Sequence, residues 1–455
     1  MKLSEIAEIV GGELRGEDVI VNGLSVDSRT VKRGDLFAAV VGKQVDGHEF
    51  IESALEKGAV GAIVTKDIHN SYSAIRVNSI EDSFAKIANN IRKSFTGPVI
   101  GVTGSVGKTT VKEFLSAILG GDDIVLKTPS NMNTEYGVPI AWMMLEKNHK
   151  YAVIEMAMRG EGQIAHLCSF SKPTHGIITS IGSAHIGELG SKEAIIRAKS
   201  ELTKSIPSNG AIILPFTADL PLLESYANCK VITFGEHESC DIKVLGHEIL
   251  FDRNMTRGEW RVNGDNLSAE VPGLGGQQVF NIAGCLGVCL GLGVDVRNAL
   301  SNLANVKLPP DRLRSVAFQM GTVLIDVYNS SPESCIKALE VLNEFPAQGK
   351  KIAILGDMLE LGDYEENEHM KIGKFVAGIN VDVIVGVGER SHWIVEGAKK
   401  SGFSGETSLC GTAEEAAKWL LSLREGDVLL IKGSRALQLE NALIKAGVEI
   451  DSEHY

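Results

Sequence analysis

The chain has 455 residues, 44% apolar and 23% charged, a globular composition too long for one ordinary core, so two or three domains are expected. A formal net charge of -13 argues against a general nucleic-acid binder, which would show a basic face. Seven cysteines, an odd number without a CxxC pair, fit a reduced intracellular protein better than a disulfide framework or a zinc site.

The opening residues Met1 to Ile6 lack the basic and apolar regions of a signal peptide. The run Ile282 to Val294 is too short to span a bilayer and reads as a buried helix. A cytoplasmic protein without a membrane span is expected, with a monomer as the default. Residues 1–97 mix short elements: a strand at 34–40, a helix at 50–57 and a strand at 58–64. Thr96-Gly97-Pro98 then reads as a linker. Residues 98–310 carry strands at 151–156, 175–181 and 210–214, and a stretch of short alternating segments between about 230 and 272 suggests antiparallel edge strands. Pro309-Pro310 marks the next boundary. In residues 311–455, strands at 322–328, 351–355, 381–387 and 427–432 alternate with helices near 333–345, 367–379, 391–401, 413–423 and 436–446. Such alternation predicts a doubly wound parallel sheet, with ligands beyond the strand C-termini. Asp326, Asp357 and Lys432 lie near those ends. The fold class is α/β in three domains, 1–97, 98–310 and 311–455.

The most specific segment runs from Gly101 to Thr110, GVTGSVGKTT, between an apolar run and a helical pattern. Strand, glycine loop and helix N-terminus make a cradle for phosphates: backbone N–H groups and the helix dipole face the anion. Gly104, Ser105, Val106, Gly107, Lys108, Thr109 and Thr110 would hold a nucleoside triphosphate, with Lys108 on the β/γ-phosphates and the Thr109 hydroxyl on Mg²⁺. The spacing G-x-x-G-x-x-G-K-T-T departs from the general motif, because Val102 stands where its first glycine would be.

Glu155 ends a largely apolar strand and is placed to hold Mg²⁺, although a solvated strand-end carboxylate has the same pattern. His185 follows another strand, where a lone histidine is more often a hydrogen-bonded structural residue than a functional one. Lys199 lies on an amphipathic helix and, on pattern alone, is an ordinary surface lysine. Arg312, and Lys432 with Arg435, could meet phosphate or carboxylate.

Taken together, these segments resemble the Mur ligase family over nearly the whole chain. The likeness rests on Asp27-Ser28-Arg29, Gly34-Asp35-Leu36-Phe37, Asp46-Gly47-His48-Glu49-Phe50, the phosphate loop, and Asn131 to Pro139. Further on it rests on Ile181 to His185, Ala198 to Glu201, Tyr328-Asn329, Leu355 to Gly362 and Lys432 to Arg435. The segments DGHEF, NMNTEYGVP and LGDMLELG point to the member that adds D-alanyl-D-alanine to a UDP-N-acetylmuramoyl tripeptide through an acyl phosphate. The resemblance implies ATP and Mg²⁺ as cofactors, a carbamylated Lys199, and a metal shell of Thr109, Glu155, His185 and Lys199. It implies Lys108, Lys199 and His185 as catalytic residues, Asn281 on the adenine, and Arg312 and Asp326 closing over the nucleotide. Ser28 and Arg29 would serve the UDP end, and Asn133, Thr134, Asn329 and Lys432 the substrates. Carbamylation is chemically sensible, since an ammonium repels Mg²⁺ whereas its carbamate is a carboxylate ligand.

Three positions depart from the family pattern. Gln277 stands where a histidine is usual, Asp326-Val327-Tyr328-Asn329 is one residue shorter than the family's form, and Ser330-Ser331-Pro332 varies the usual ending. A sister Mur or folylpolyglutamate-type ligase and a non-catalytic nucleotide-binding regulator are the alternatives. A kinase or motor-type ATPase would need a clear apolar-run-plus-Asp segment, which is not evident.

Overall fold

A computed structural model describes residues 1–450 apart from 43, 68–71, 307, 310 and 311. The second half of the diproline boundary, with Asp311 after it, therefore lies outside the described residues.

Among the described residues the strands form three sheets. The first contains Gly23–Ser25, Asp35–Ala38, Gly61–Val64 and Ala74–Arg76 in parallel, with Glu13–Arg15 antiparallel on its edge. Its core is closed by the helices Leu3–Val10 and Ile80–Ser94. Ser79 caps the second of these by accepting from Asp82 N, and its apolar residues recur on one face.

The second sheet places Val99–Thr103 between Tyr151–Glu155 and His175–Ile178, all parallel. It extends through Ala211–Pro215 and Lys230–Gly235 to the antiparallel strands Ile242–Leu250, Met255–Val262 and Asp265–Pro272. The alternating segments thus do form an edge; Lys230–Gly235 is parallel to both neighbours, and the sheet turns antiparallel after Ile242–Leu250. The helix Gly276–Leu292 packs across this sheet and includes most of the apolar run noted above. No helix of the described residues is long and apolar enough to cross a membrane.

The third sheet runs Arg314–Phe318, Gly321–Asp326, Val428–Lys432, Lys351–Gly356, Val383–Val387, Glu406–Cys410. It is parallel except for Arg314–Phe318, an antiparallel edge strand not anticipated from the sequence. A two-residue turn at Gln319 and Met320, with Gln319 at φ 52°, folds that strand back on Gly321–Asp326. Glu406–Cys410 is the other unforeseen strand; its exposed Glu406 and Leu409 hide the apolar run expected of a parallel strand.

Candidate active site

The phosphate loop leaves the middle of the second sheet at Thr103 and enters the helix Lys108–Ile118 at Gly107. Gly104 (φ 149°) and Gly107 (φ 90°) adopt conformations that disfavour a side chain. The space is also taken, since a Cβ on Gly104 would collide with Thr179 Oγ1, and one on Gly107 would lie 2.6 Å from Asn281 Oδ1. Side chains after His175–Ile178 brace the loop from beneath. Ser180 Oγ accepts from Val106 N (2.9 Å), and Thr179 Oγ1 donates to Val106 O (2.5 Å). Lys108 folds over the loop, its Nζ donating to Gly104 O at 2.8 Å. Burial lowers the pKa of Lys108, an effect opposed by the nearby Glu155 and reinforced by Arg312.

Glu155 is 1% exposed at the end of its strand. Its Oε1 accepts from Asn133 Nδ2 (2.8 Å) and from Thr109 Oγ1 (3.3 Å). Its Oε2 is buried without a hydrogen bond, with the ammonium of Lys112 at 3.5 Å. Lys112 is itself fully buried and donates to Ser130 O at 2.7 Å. A carboxylate with one unsatisfied oxygen beside a threonine hydroxyl at a helix N-terminus suits a hard cation. Among the described residues no three His, Cys, Asp or Glu side chains converge as a ready metal cage. A cation there would need further oxygen ligands.

Lys199 corrects the pattern-based expectation of a surface lysine: it is 1% exposed and makes no hydrogen bond or ion pair among the described residues. Its neighbours at i−4, i−3, i+3 and i+4 on the helix Lys192–Ser205 are Ile195, Ile196, Leu202 and Thr203, all buried. The signal was therefore present, since Lys199 lies within the apolar stripe. Burial drives its pKa well below the ordinary lysine value; Lys108 pushes the same way and Glu333 opposes. Lys199 is not among the residues that line the neighbouring cavity.

That cavity, about 1280 Å³, lies between the second and third sheets and reaches Glu81 of the first region. It is lined by Ser105 to Thr110, Asn133, Thr134, Glu155, His185, Asn281, Arg312, Asp326, Asn329 and Lys432. Nearly all the site residues expected from the sequence are thus brought together. Ser28 and Arg29 are not: neither lines the cavity, Ser28 is buried, and the exposed Arg29 guanidinium is bonded to Asp27.

From the third region, Arg312 Nη2 donates to Thr109 Oγ1 (3.4 Å) and the guanidinium lies 4.0 Å from the centre of the Tyr328 ring. Lys432 is 1% exposed; its Nζ donates to Asp326 Oδ2 (2.7 Å) and Asn329 O (2.9 Å). Asp326 and Lys432 are register partners on adjacent strands, so the pair ties two strand ends together at the cavity wall. Asn281 is held by its own helix: Gln277 Nε2 donates to its Oδ1 (3.1 Å), and its Nδ2 donates to Gln278 Oε1 (3.3 Å). The residue that replaces the family's usual histidine thus buttresses Asn281 against Gly107.

Two carboxylates escaped the sequence reading. Glu333 Oε1 accepts from Ser183 N (2.6 Å) and Ser183 Oγ (2.8 Å), and Glu360 Oε2 lies 2.8 Å from His185 Nδ1. His185 holds the pKa of Glu360 below the usual carboxylate value. Glu360 stood within the noticed LGDMLELG segment, whereas an acid in a helix's first turn gave no sign of Glu333's contact.

A phosphate loop on a parallel sheet, a buried acid beside it, a buried lysine on a neighbouring helix, and a second, mostly parallel sheet across the cavity define a nucleotide-dependent α/β enzyme. Three family descriptions match almost end to end: "Mur ligase family, catalytic domain" over 20–95, "Mur ligase middle domain" over 102–289, and "Mur ligase, glutamate ligase domain" over 311–435. The chain belongs to the Mur ligase family. It is 35% identical to a Synechocystis protein named UDP-N-acetylmuramoyl-tripeptide–D-alanyl-D-alanine ligase, over 93% of this chain and 91% of that one. A Bacillus subtilis protein of the same name is 30% identical over 96% of each. Among solved structures, MurF from Acinetobacter baumannii superposes with a TM-score of 0.88 at 27% identity, covering 98% of both chains. MurF ligase from Thermotoga maritima, in complex with ADP, gives 0.80 at 33% identity over 93% of this chain and 96% of that one.

Proposed function

We propose that this protein uses ATP to join D-alanyl-D-alanine to UDP-N-acetylmuramoyl tripeptide, a cytoplasmic step of peptidoglycan precursor synthesis. The observation that carries the reading is the end-to-end likeness to ligases of that name, combined with a phosphate loop whose surroundings suit the chemistry. The three regions, 1–97, 98–310 and 311–455, would serve the UDP end, the nucleotide and the incoming dipeptide with closure.

A free carboxylate acylates poorly because its leaving group would be oxide. Transfer of the γ-phosphoryl group to the tripeptide carboxylate gives an acyl phosphate and ADP. The dipeptide amine then attacks the acyl carbon, and the tetrahedral intermediate collapses to amide and inorganic phosphate. Lys108 would leave its internal bond to Gly104 O and draw charge from the β/γ-phosphates, while the loop N–H groups cradle them. Arg312, carried by the third region beside Thr109, would add positive charge on closure.

Thr109, Glu155, His185 and a carbamylated Lys199 would hold Mg²⁺, which when bound neutralises charge between the γ-phosphate and the carboxylate. The unsatisfied Glu155 Oε2 and the partnerless Lys199 support this assignment. Burial favours the neutral amine of Lys199; it can attack the carbon of CO₂ and release one proton, which leaves an anionic carbamate. Asn133 would orient Glu155, with Thr134, Asn329 and the Lys432–Asp326 brace shaping the substrate side.

The test is phosphate release from ATP and Mg²⁺ with the UDP-muramoyl tripeptide, with and without D-alanyl-D-alanine. Release that needs both substrates, with a pentapeptide product seen by mass, is expected. Release independent of both would reject the ligase assignment in favour of a general ATPase.

A further inference from the structure

Where the loop of the third region meets the segment around His185, the two facing residues, His185 at φ 68° and Glu360 at φ 64°, both adopt left-handed backbone conformations. Such conformations are strained for a residue with a side chain and persist only where the surroundings impose them. The surroundings here are dense. Gly187 N donates to Glu360 O (3.2 Å), Tyr364 Oη donates to Gly190 O (3.1 Å), and Gly187 packs so closely on Gly362 that a Cβ there would clash.

The segment that carries Glu360 is fixed from its own side. Buried Asp357 accepts from Arg390 N (2.9 Å) and Ser391 N (2.8 Å). Met358 N donates to His369 Nε2 (3.0 Å), and Leu359 N donates to Ser434 Oγ (3.1 Å). A rigid loop of the third region therefore delivers the Glu360 carboxylate to the imidazole of the second. Oε2 sits 2.8 Å from Nδ1, in ion-pair contact but off the line of a ring N–H bond.

We propose that Glu360 is the positioning residue for His185: its carboxylate keeps the proton on Nδ1, turns Nε2 toward the cation site, and makes that site complete only when the third region is docked. The inference rests on the reading of His185 as a cation ligand. A carboxylate behind a ligating imidazole fixes its tautomer and orientation, and such partners typically change metal affinity by roughly 10–100-fold when removed.

The test titrates Mn²⁺ alone, in bicarbonate buffer at one pH, into the full-length protein, with free Mn²⁺ read by its paramagnetic resonance signal. Wild type is compared with His185→Ala, Glu360→Ala, Glu360→Gln and Glu360→Gly, and thermal unfolding is followed in parallel. Glu360→Ala and Glu360→Gly should weaken Mn²⁺ binding by roughly 10–100-fold, and Glu360→Gln, which keeps an acceptor, by less. Glycine accepts φ 64° without strain, so Glu360→Gly should unfold no earlier than wild type, which separates a lost carboxylate from a lost fold. Unchanged affinity in Glu360→Gly, with weakened affinity in His185→Ala, would overturn this inference and leave the cation reading standing. Unchanged affinity in His185→Ala, or no Mn²⁺ binding by wild type, would overturn both.

Discussion

Glu333 and Ser183 stand 150 residues apart in sequence, yet one carboxylate oxygen accepts both the backbone N–H and the hydroxyl of Ser183. Glu333 opens the helix Pro332–Glu344 of the third region, and Ser183 lies in the segment that leads to His185. Gly182 has no side chain because the Glu333 carboxyl group occupies that space. Replacement of Glu333 by Ala should therefore loosen the third region from the second. Loss of these charge-assisted bonds should cost about 1.5–3 kcal/mol in urea unfolding. Hydrogen exchange should rise at both 182–190 and 357–364; protection unchanged in the two segments would refute the clamp.

Gly107→Ala is expected to damage nucleotide binding more than its size suggests. The residue sits at φ 90° and the new methyl would meet Asn281 Oδ1, so the strain is on the order of 1–3 kcal/mol. Relief requires the loop to shift, and roughly tenfold or greater weakening of ADP binding follows if that strain falls on the bound form. Calorimetric titration with ADP checks it, and wild-type affinity would show that the loop yields easily.

For Lys199→Met, stability and activity should move in opposite directions. The substitution removes a buried amine that has no hydrogen-bond partner among the described residues and keeps an apolar stem, so thermal unfolding should be unchanged or later. Turnover should fall on the order of 10²-fold or more, as when a charge-stabilising group is removed from an active site. Wild-type turnover should also drop when bicarbonate and CO₂ are stripped and recover on their return. A fully active Lys199→Met, indifferent to bicarbonate, would end the carbamate proposal.

Asp46 carries a prediction about acid stability. Its carboxylate accepts the ammonium of Lys66, His48 N and the His48 ring, and these contacts hold its pKa below the ordinary aspartate value. A depressed folded-state pKa stabilises the fold above the unfolded value near ~3.9, and that contribution is lost as pH falls through the folded pKa. Wild type should therefore exceed Asp46→Asn in melting temperature by a constant margin from pH 5 to 8, and the margin should shrink below about pH 4. A margin that persists at the acid end would assign the effect to packing.

The sequence alone determined whatever is written in local spacing. GVTGSVGKTT specifies its own strand, loop and helix, because glycines at fixed intervals and a helix N-terminus are local devices. The alternation of apolar runs and helical periods specified the parallel third sheet, and strand-end positions placed Glu155, Asp326 and Lys432 at the cavity. Lys199 was half legible, since the apolar stripe around it was visible but the depth of its burial was not. Tertiary structure alone decided the pairs that cross from one sheet to another. Glu333 on Ser183, Glu360 on His185 and Arg312 beside Thr109 depend on how the third region docks, and no local period encodes a contact between residues more than a hundred positions apart. The placement of the first region likewise leaves Ser28 and Arg29 outside the cavity, which it reaches through Glu81 instead.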